Sequence, residues 1–588
     1  MTQFKSALIT WKLKIMRVAV TQFATSLNSQ ENQATCIRMI NEVAACKPDL
    51  IVLPEYSNTE ACYEDHNQAW HEALDINGLF FQKIASQAKQ YNSYILINVT
   101  LRRDLTREHQ NPTIKSNISV TSCMFSPAGK LIQQSDKQLL LAQENEFFVC
   151  FNKATDAVTS AFGKLGLLAG SDIITFEAAR DLALDGAQLL CNSQSSYVVE
   201  QGALQNFSRA IENNVFVATA NKIGQSTPKV NLTADLVGVC HSQIISVNGK
   251  VLSSLANNKE GFTFADIDMA VAGLNKKCRP DGSEFLKQRR VELYQQPVTL
   301  QQHTANIEQA ISNILPETAN VAIFATYKSN EQAIEDVCHY IENNLSDIIQ
   351  LPELFFIADK TISHNAEQLA TIEILCTELI IQISATLRPF QYVCTSLVIS
   401  GVHQGVLISE HGLFATQQQL HFCNRYQWSA LGNELNIIEL PLEQGNINIA
   451  ILIADDANIP EIVKVAALNN VNVLLVPFDI QESSEVEFSL LSRAAENAIC
   501  IVAASREKSF ANADTTYNNN PKTGNKNKIK PMKSTGLIVD VLVRTASSRQ
   551  GITSGLYSCN HMPLADIKVK QQYGKITKAV IHPSATVT

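Results

Sequence analysis

The sequence predicts an α/β protein made of two tandem copies of one domain. Two pairs of matching segments indicate the duplication: DLIVLPE at residues 49–55 matches DIIQLPE at 347–353, and SRAIENN from Ser208 matches SRAAENA from Ser492. In both halves, short apolar runs typical of strands alternate with helix-like stretches, a pattern that predicts sheets covered by helices. A chain of 588 residues, 45% of them hydrophobic, is long enough for two such cores.

Each element of the first copy follows from its local pattern. The apolar runs MRVAVTQF, LIVLPE, YILINVTL, KLGLLAG and AQLLCN predict buried strands, and a strand pair turns at residues 127–129. Apolar residues at helical spacing predict helices over 31–46 and 79–90, through SRAIEN, and in FEAARDLALDGA, which Gly186 closes. Strand and helix therefore alternate through this half.

The second copy restarts at NVAIFATY from Asn320 and repeats the same order of elements. Residues 296–318 between the copies are predicted to be a polar linker with one helical stretch. Residues 512–533 are rich in Asn, Lys, Thr and Gly and have almost no apolar side chains, which predicts a flexible surface loop. Its lysines also suggest a basic patch, although a solvated insertion is the favoured interpretation.

Composition excludes several classes of function. The formal net charge of -9 argues against a nucleic-acid platform. No apolar run approaches the roughly 18 residues that span a bilayer, so we expect no membrane insertion. The fourteen cysteines include no C-x-x-C pair, which is typical of a reduced cytoplasmic protein. Lysines interrupt the apolar residues before Met16, so this segment is not predicted to be a signal peptide, and Met16 is an alternative start.

An ordered set of motifs resembles the nitrilase, or carbon–nitrogen hydrolase, superfamily. The set comprises LPEYS, SDKQLL, FGKLGLL followed by Asp172, GAQLLCN, SRAIENNVFVATAN and the terminal KQRRVELY. The resemblance covers residues 16–295 and, more weakly, 319–575. It implies two tandem four-layer αββα sandwiches, which we expect to pack together as an intramolecular pseudo-dimer.

The resemblance also implies a Glu-Lys-Cys triad, and the chemistry explains each member. A carboxylate takes the thiol proton, the thiolate attacks the amide or nitrile carbon, and the lysine stabilises the developing oxyanion. In the first copy, Glu55 matches the base and Lys137 the cation. Glu146, in QENEFF, is identified as the second glutamate of the family.

Both copies lack the nucleophile that this resemblance implies. In the family the cysteine lies two residues before an acidic residue that is itself five before a glutamate. Asp172 and Glu177 reproduce the acidic spacing and place Gly170 in the cysteine position. In the second copy, Asp456 and Glu461 place Ala454 there.

The second copy departs further from the family pattern. Glu353 matches the base and Glu434 resembles the second glutamate, but Gln419 stands where the lysine is expected. A neutral amide does not replace an ammonium that faces developing negative charge.

No other group is a strong candidate for the lost thiol. Ser171 follows Gly170 but points elsewhere, Cys191 is predicted to be a core residue, and Cys240 and His241 face opposite sides of a strand. Asp172 and the RAIEN segment are predicted to be structural. The dispersed histidines indicate no metal site, and no cofactor is expected.

We therefore expect a non-hydrolytic pseudoenzyme with a binding, regulatory or scaffold role. The alternative is an active amidase or carbamoyl-amine hydrolase that acts on a small linear amide through the first copy with an unusual nucleophile. Expected partners are a small amide-like ligand and either a second copy of the chain or other nitrilase-like subunits.

Overall fold

A computed structural model shows two compact units, residues 1–276 and 277–588. The described residues are 15–104, 117–141, 144–151, 156–195, 199–224, 241–256, 259–295, 299–301, 319–325, 331–357, 362–363, 365–497, 499–510, 532–539, 552–554 and 564–567. Residues 277–295, which the family resemblance assigned to the first copy, make their contacts in the second unit. The segment before Met16 and the loop predicted at 512–533 lie almost wholly outside the described residues.

The first unit alternates strands and helices in the predicted order. Its described strands are β1 Ile15–Gln22, β2 Leu50–Val52, β3 Tyr94–Arg102, β4 Ile118–Phe125, β5 Leu131–Asp136, β6 Val158–Thr159, β7 Lys164–Ala169, β8 Leu189–Gln194, β9 Phe216–Asn221, β10 Gln243–Ile245, β11 Val251–Ser254 and β12 Gly261–Asp268. Its described helices are α1 Ser29–Val43, α2 His66–Glu72, α3 Leu79–Tyr91, α4 Glu144–Phe147, α5 Phe176–Leu184 and α6 Val199–Asn213.

These strands form two six-stranded sheets, in the orders β12-β1-β2-β3-β4-β5 and β11-β10-β9-β8-β7-β6. Strands β1, β2 and β3 run parallel, with Val18 opposite Leu50, and so do β7, β8 and β9, with Leu165 opposite Leu189. Because consecutive parallel strands need a crossover, a helix separates them. The carboxyl ends of three strands in each sheet therefore lie at one edge.

The core of the first unit shows four layers. One cluster fills the space between the sheets and contains residues such as Val18, Leu50, Leu167 and Cys191. A second cluster packs α1 and α3 against the outer face of the first sheet. Helices α5 and α6 contact β7 and β9 of the other sheet. The order of layers is therefore αββα, as the family resemblance implies.

The second unit repeats this architecture. Its described strands are β13 Thr299–Gln301, β14 Ala319–Ile323, β15 Ile348–Glu353, β16 Tyr392–Ile399, β17 Val402–Ser409, β18 Gly412–Gln418, β19 Asn436–Leu442, β20 Gly445–Ile451, β21 Val473–Pro477, β22 Cys500–Phe510, β23 Met532–Val539, β24 Ile552–Ser554 and β25 Leu564–Ile567. Its described helices are α7 Phe285–Gln288, α8 Val291–Tyr294, α9 Glu331–Glu342, α10 Ala366–Thr386, α11 Pro460–Leu468 and α12 Leu490–Asn497.

The sheets of this unit have the orders β13-β19-β20-β21-β22-β23-β24 and β18-β17-β16-β15-β14-β25. One apolar cluster lies between the sheets and another packs α9 and α10 against the six-stranded sheet. Strand β13 lies within residues 296–318, which were predicted to be a linker. It pairs in parallel with β19. The start of that linker is therefore part of the second unit's sheet.

Helix α10 is long and apolar enough, by length and composition, to cross a membrane, which differs from the sequence prediction that no segment approaches this length. Ile372, Cys376, Leu379 and Ile383 on one face are buried in the core of the second unit. The helix also contacts α9 and β16. Part of the apolar surface of α10 is therefore the face that packs against the sheet.

Gly405 on β17 tests how closely the two sheets of the second unit approach. An ideal Cβ at this position would lie 2.6 Å from Cγ2 of Ile451 and 2.8 Å from Cγ2 of Ile453. We expect Gly405→Ala to lower the unfolding free energy of this unit by about 1–3 kcal/mol, because overpacked cores must shift. Urea unfolding measures the change. Thr377→Ala on the exposed face of α10 should stay within about 0.5 kcal/mol of the parent, and an equal effect of both changes would contradict the prediction.

Candidate functional site

The carboxyl ends of the parallel strands in the first unit bring polar side chains together. Glu55 follows β2, Gly170 follows β7, Ser195 follows β8 and Lys222 follows β9. Lys137 enters from the end of the antiparallel strand β5. Open α/β sheets commonly place their functional groups at such carboxyl ends.

Lys137 is the centre of a buried group of charges. Its Nζ donates to Oε1 of Glu55 at 2.8 Å and to Oε1 of Glu144 at 2.5 Å. The Tyr56 hydroxyl also donates to Glu144. Oε2 of Glu55 accepts from the Ser195 hydroxyl at 2.7 Å. Lys137 and Glu55 are 3% and 2% exposed, so this ion pair is almost free of solvent screening.

The glutamate that meets Lys137 is Glu144, and the assignment of Glu146 is corrected. Helix α4 begins at Glu144, which directs that carboxylate to Lys137 and Tyr56. Glu146, two residues further along the same short helix, is exposed. Side chains two positions apart on a helix do not share a face, which explains the error.

Gly170 lies directly against the carboxylate of Glu55. An ideal Cβ on Gly170 would lie 2.3 Å from Oε1 and 2.5 Å from Oε2 of Glu55. The backbone of Gly170 has φ +49°, in the left-handed region that favours glycine. The carboxylate therefore occupies the space in which a side chain at position 170 would begin.

Asp172 fixes the turn that holds these groups. Its Oδ1 accepts backbone N–H groups from Gln138 at 2.9 Å and Leu139 at 2.8 Å, directly after Lys137. The Ser171 hydroxyl donates to the carbonyl of Leu139, so it points away from Glu55. Asp172 and Ser171 thus tie the turn after β7 to the turn after β5.

The RAIEN helix supports the same turn from behind. Arg209 is fully buried, pairs with Glu212 and donates to the carbonyls of Ile173 and Ile174. Asn213 donates to the carbonyl of Arg209 at 3.0 Å. These contacts are structural, in line with the sequence interpretation.

Burial and charge set the proton affinities of the central residues. Burial raises the pKa of Glu55, although the Lys137 ammonium opposes this shift. Burial lowers the pKa of Lys137, but Glu55 and Glu144 more than reverse that effect, so the lysine is held protonated. The site is therefore an ammonium between two carboxylates, with Glu55 closer to a protonated state than a surface glutamate.

Lys222 and Ser195 are members of the site that sequence reasoning missed. The Nζ of Lys222 donates to the carbonyl of Thr59 at 2.9 Å, and Lys222 and Lys137 each lie 5.7 Å from the centroid of the Tyr56 ring. Burial lowers the pKa of Lys222 to about 8. Both residues directly follow parallel strands. That position in the sequence could have identified them as candidate site residues.

The second unit has a corresponding centre, in which a phenol and a backbone N–H donate to the glutamate. Oε1 of Glu353 accepts from the Tyr426 hydroxyl at 2.5 Å, and Oε2 accepts from the backbone N–H of Ala454 at 3.1 Å. Gln419 turns away: its amide donates to the carbonyl of His421 at 2.7 Å, and its Oε1 lies 3.1 Å from Nδ1 of His403. Glu353 and Ala454 are brought together, and Gln419 is not hydrogen-bonded to them in the described contacts.

Tyr426 takes the place that sequence reasoning gave to Glu434. Tyr426 follows Gln419 by the same seven positions that separate Glu144 from Lys137. It is buried, whereas Glu434 is exposed. The family-like glutamate of the second unit is therefore replaced by a phenol, and the assignment of Glu434 is corrected.

The two centres share one backbone framework. Asp456 accepts from the backbone N–H groups of Leu420 at 3.0 Å and His421 at 2.8 Å, just as Asp172 does after Lys137. The residues after the two glutamates, Tyr56 and Leu354, have φ +52° and +44°. Ala454 has φ +54°, close to that of Gly170. The counting that placed these positions in the sequence therefore describes equivalent points of the two units.

The thiols within the described residues do not supply a substitute in the first unit. The described hydrogen bonds of Glu55 and Lys137 involve no cysteine. Cys191 is buried between the sheets, where burial raises its pKa. Cys240 lies outside the described residues, and Nδ1 of His241 contacts the carbonyl of Leu255.

One thiol near the second centre was not foreseen. The Sγ of Cys423 lies 3.7 Å from the amide nitrogen of Gln419. Burial and the Asp455 carboxylate raise the pKa of Cys423, which disfavours the reactive thiolate. Ligand atoms of Cys423, Asp281 and Asp455 come within 4.8 Å of one another. Arg425 pairs with both carboxylates, so a cation already neutralises this cluster.

These contacts define what each centre can do. The first unit presents two ammonium groups, two carboxylates and two hydroxyls, which can hold a small polar molecule by charge-assisted hydrogen bonds. With no side chain at position 170, the described contacts of Glu55 include no thiol, and the hydroxyl that donates to this carboxylate is that of Ser195. In the second unit the Glu353 carboxylate is completely buried and accepts a hydrogen bond from the Tyr426 hydroxyl.

Comparisons with known proteins match this chain to one family. The model of the family described as carbon–nitrogen hydrolase matches residues 17–277. A probable nitrilase of Schizosaccharomyces pombe is 31% identical over 265 residues, which are 43% of this chain and 88% of that protein. An omega-amidase of Danio rerio is 26% identical over 293 residues, 47% of this chain and 96% of the relative.

Solved structures of similar proteins were also found. An amidase from Nesterenkonia is 18% identical, with a TM-score of 0.37, and the match covers 47% of this chain and 95% of that one. Saccharomyces cerevisiae Nit3, a member of branch 10 of the nitrilase superfamily, is 21% identical, with a TM-score of 0.36 and coverage of 44% and 91%.

Lys137→Gln reproduces in the first unit the residue that the second unit carries. It removes the ammonium from between Glu55 and Glu144 and leaves a carboxylate buried without its partner. We expect the unfolding free energy to fall by about 3–5 kcal/mol, measured by urea unfolding. The control Lys83→Gln removes an exposed lysine that contacts only Gln33 among the described hydrogen bonds. A loss for Lys137→Gln no larger than that of the control would contradict the buried ion pair.

Asp172 should make the first unit less stable as the pH rises. Burial raises the pKa of Asp172 to about 7, above the value of about 3.9 in an unfolded chain. Between these values the folded state holds a proton that the unfolded state has lost. The stability is therefore highest below pH 4 and falls through pH 7, by up to about 1.4 kcal/mol per pH unit.

The difference between the parent protein and Asp172→Asn measures this dependence. A difference is needed because burial also raises the pKa of Glu485, in the second unit, to about 7. Asp185→Asn is the control, since Lys164 lowers the pKa of Asp185 and moves its titration to acid pH. Parallel stability curves for the parent and Asp172→Asn between pH 4 and 7 would show that the prediction is wrong.

Proposed function

Because the chain belongs to the carbon–nitrogen hydrolase family, we propose that it is a non-hydrolytic member whose first unit binds a small amide-like ligand. One observation carries the proposal: the Glu55 carboxylate fills the space where a side chain on Gly170 would start. Amide hydrolysis by this fold, as the family resemblance implies, needs a thiolate at that point. The first unit retains the groups that would surround a substrate and lacks the atom that would attack it.

Charge supports ligand binding in the first unit. A buried carboxylate and ammonium are costly to desolvate, and apolar replacements are often neutral or stabilising. The second unit has lost this arrangement, because Tyr426 supplies a neutral hydroxyl to Glu353. The first unit has kept Lys137, Glu144 and Glu55 in mutual contact. Retention of the charged group is expected where it still binds a polar molecule.

An amide fits these groups. Its N–H atoms can donate to Glu55, and its carbonyl can accept from an ammonium. Omega-amidase and deaminated glutathione amidase are the names of two relatives, and amides are therefore the first ligand class to test. The second unit is proposed to be structural, with Glu353 satisfied by a phenol and a backbone N–H.

A second candidate is a weak amide hydrolase in which Glu55 activates water. The raised pKa of Glu55 favours this alternative, because a base works best when its pKa approaches the ambient pH. The close contact with Gly170 opposes it, since the carboxylate leaves little room for water on that side.

A panel of primary amides, carbamoyl amines and nitriles tests both candidates. We expect some amides to raise the melting temperature of the parent protein by a few degrees, and Glu55→Gln to abolish that shift. Ammonia release should not exceed the rate without protein in either variant. Glu31→Gln, the same change at an exposed position, is the control and should keep the shift.

Two outcomes would count against the proposal. Ammonia release by the parent that disappears in Glu55→Gln would establish the hydrolase alternative. Absence of a shift with every compound would remove amide binding. Gly170→Cys adds a further discrimination: ammonia release gained only in this variant would show that the rest of the catalytic machinery is intact and that the thiol alone is missing.

A further inference from the structure

A tyrosine, a histidine and an aspartate are hydrogen-bonded in sequence in the second unit. Tyr294 ends α8, and its hydroxyl lies 3.0 Å from Nε2 of His421. The two rings stack, with centroids 5.9 Å apart and an angle of 27° between their planes. Nδ1 of His421 lies 2.9 Å from Oδ1 of Asp456. This order matches the nucleophile, base and orienting acid of hydrolytic triads.

The hydrogen bonds fix the direction of proton donation. Asp456 accepts backbone N–H groups from Leu420 and His421, so its carboxyl oxygens act as acceptors in this network. Nδ1 of His421 must therefore carry the hydrogen and donate it to Asp456. In the neutral imidazole, Nε2 is then left with its lone pair, and the Tyr294 hydroxyl donates to it. His421 and Asp456 are both completely buried, which keeps this geometry rigid.

A backbone N–H and a guanidinium also lie near the Tyr294 side chain. The backbone N–H of Arg290 donates to the Tyr294 hydroxyl at 3.1 Å, and the guanidinium of Arg289 lies 6.0 Å from the centroid of the tyrosine ring. Tyr294 itself is only partly buried. The phenol is thus paired with a base on its inner side and partly accessible from solvent.

The imidazole is not needed to build the turn. In the first unit the equivalent aspartate, Asp172, accepts the same two backbone N–H groups from Gln138 and Leu139. The position of His421 is therefore taken by a leucine in the centre that retains Lys137. The base next to Tyr294 is an addition of the second unit.

We propose that Tyr294 is a covalent modification site that takes an acyl group from esters with good leaving groups, with His421 as general base. The phenol oxygen of Tyr294 attacks the acyl carbon and forms an ester bond, while its proton moves to Nε2 of His421. The bond between the acyl carbon and the leaving oxygen breaks, and the leaving group departs with the bonding electron pair. Asp456 stabilises the imidazolium formed in this step.

p-Nitrophenyl acetate at limiting concentration is the probe, with acetylated residues located by tandem mass spectrometry of the full chain. We expect Tyr294 to be acetylated at least about ten-fold faster than Tyr91, since a positioned base contributes on the order of 100-fold or more. Tyr91 is a matched internal control: it is partly buried, and its hydroxyl donates to Asn41 instead of a base. Tyr294→Phe should abolish the fast release of p-nitrophenolate.

His421→Gln should slow acetylation of Tyr294 to the rate of Tyr91 without changing Tyr91. Its melting curve shows whether the variant is folded, and the comparison of the two tyrosines within the parent protein does not depend on it. Equal rates for Tyr294 and Tyr91 in the parent would overturn the proposal. Unchanged acetylation of Tyr294 in folded His421→Gln would also overturn it.

Discussion

The geometry of both centres depends on one interaction, an aspartate that accepts two successive backbone N–H groups from a neighbouring turn. Asp172 binds the residues after Lys137, and Asp456 binds the residues after Gln419. Each aspartate also lies two residues after the left-handed position that Gly170 or Ala454 occupies. These hydrogen bonds therefore fix the distance between the position of Lys137 or Gln419 and the position of Gly170 or Ala454, whichever side chains are present.

Within this shared frame the two units solve the same electrostatic problem in opposite ways. Each places a glutamate in an almost completely buried position. The first unit compensates Glu55 with the ammonium of Lys137, whereas the second gives Glu353 a neutral hydroxyl and a backbone N–H. Where the first unit has the direct ion pair with Lys137, the described hydrogen bonds of Glu353 come from Tyr426 and the backbone N–H of Ala454.

The sequence contained enough information for the fold and for the backbone positions of the site. Alternating apolar runs predicted sheets covered by helices, and the family resemblance implied the four layers. The acidic spacing of that family, matched at Asp172 and Asp456, placed Gly170 and Ala454. Contacts that depend on the direction of a side chain could not be predicted from the sequence. Glu144 and Glu146 lie on different faces of one four-residue helix, and the sequence does not show which face meets Lys137. The sequence around Tyr426 likewise does not indicate that its hydroxyl bonds Glu353.

Long-range packing could not be predicted from the sequence either. Residues 277–295 were predicted to be the end of the first copy, because the motif KQRRVELY resembles a family terminus. Their actual partners, including Asp455 for Gln288 and Glu461 for Arg289, lie more than a hundred residues later. Local patterns specify elements and turns, whereas the choice of packing partner depends on burial across the whole unit.

The arrangement around Gly170 bears on how an amidase fold can lose its chemistry and keep its structure. A side chain is compatible with this backbone, because Ala454 adopts nearly the same left-handed conformation. In the first unit, however, the Glu55 carboxylate has taken the vacant volume while it remains bonded to Lys137 and Ser195. A buried charge must keep its partners, so removal of the nucleophile alone leaves the rest of the centre in place. The persistence of the charged group is thus explained by electrostatics as well as by ligand binding, and the amide panel separates these two causes.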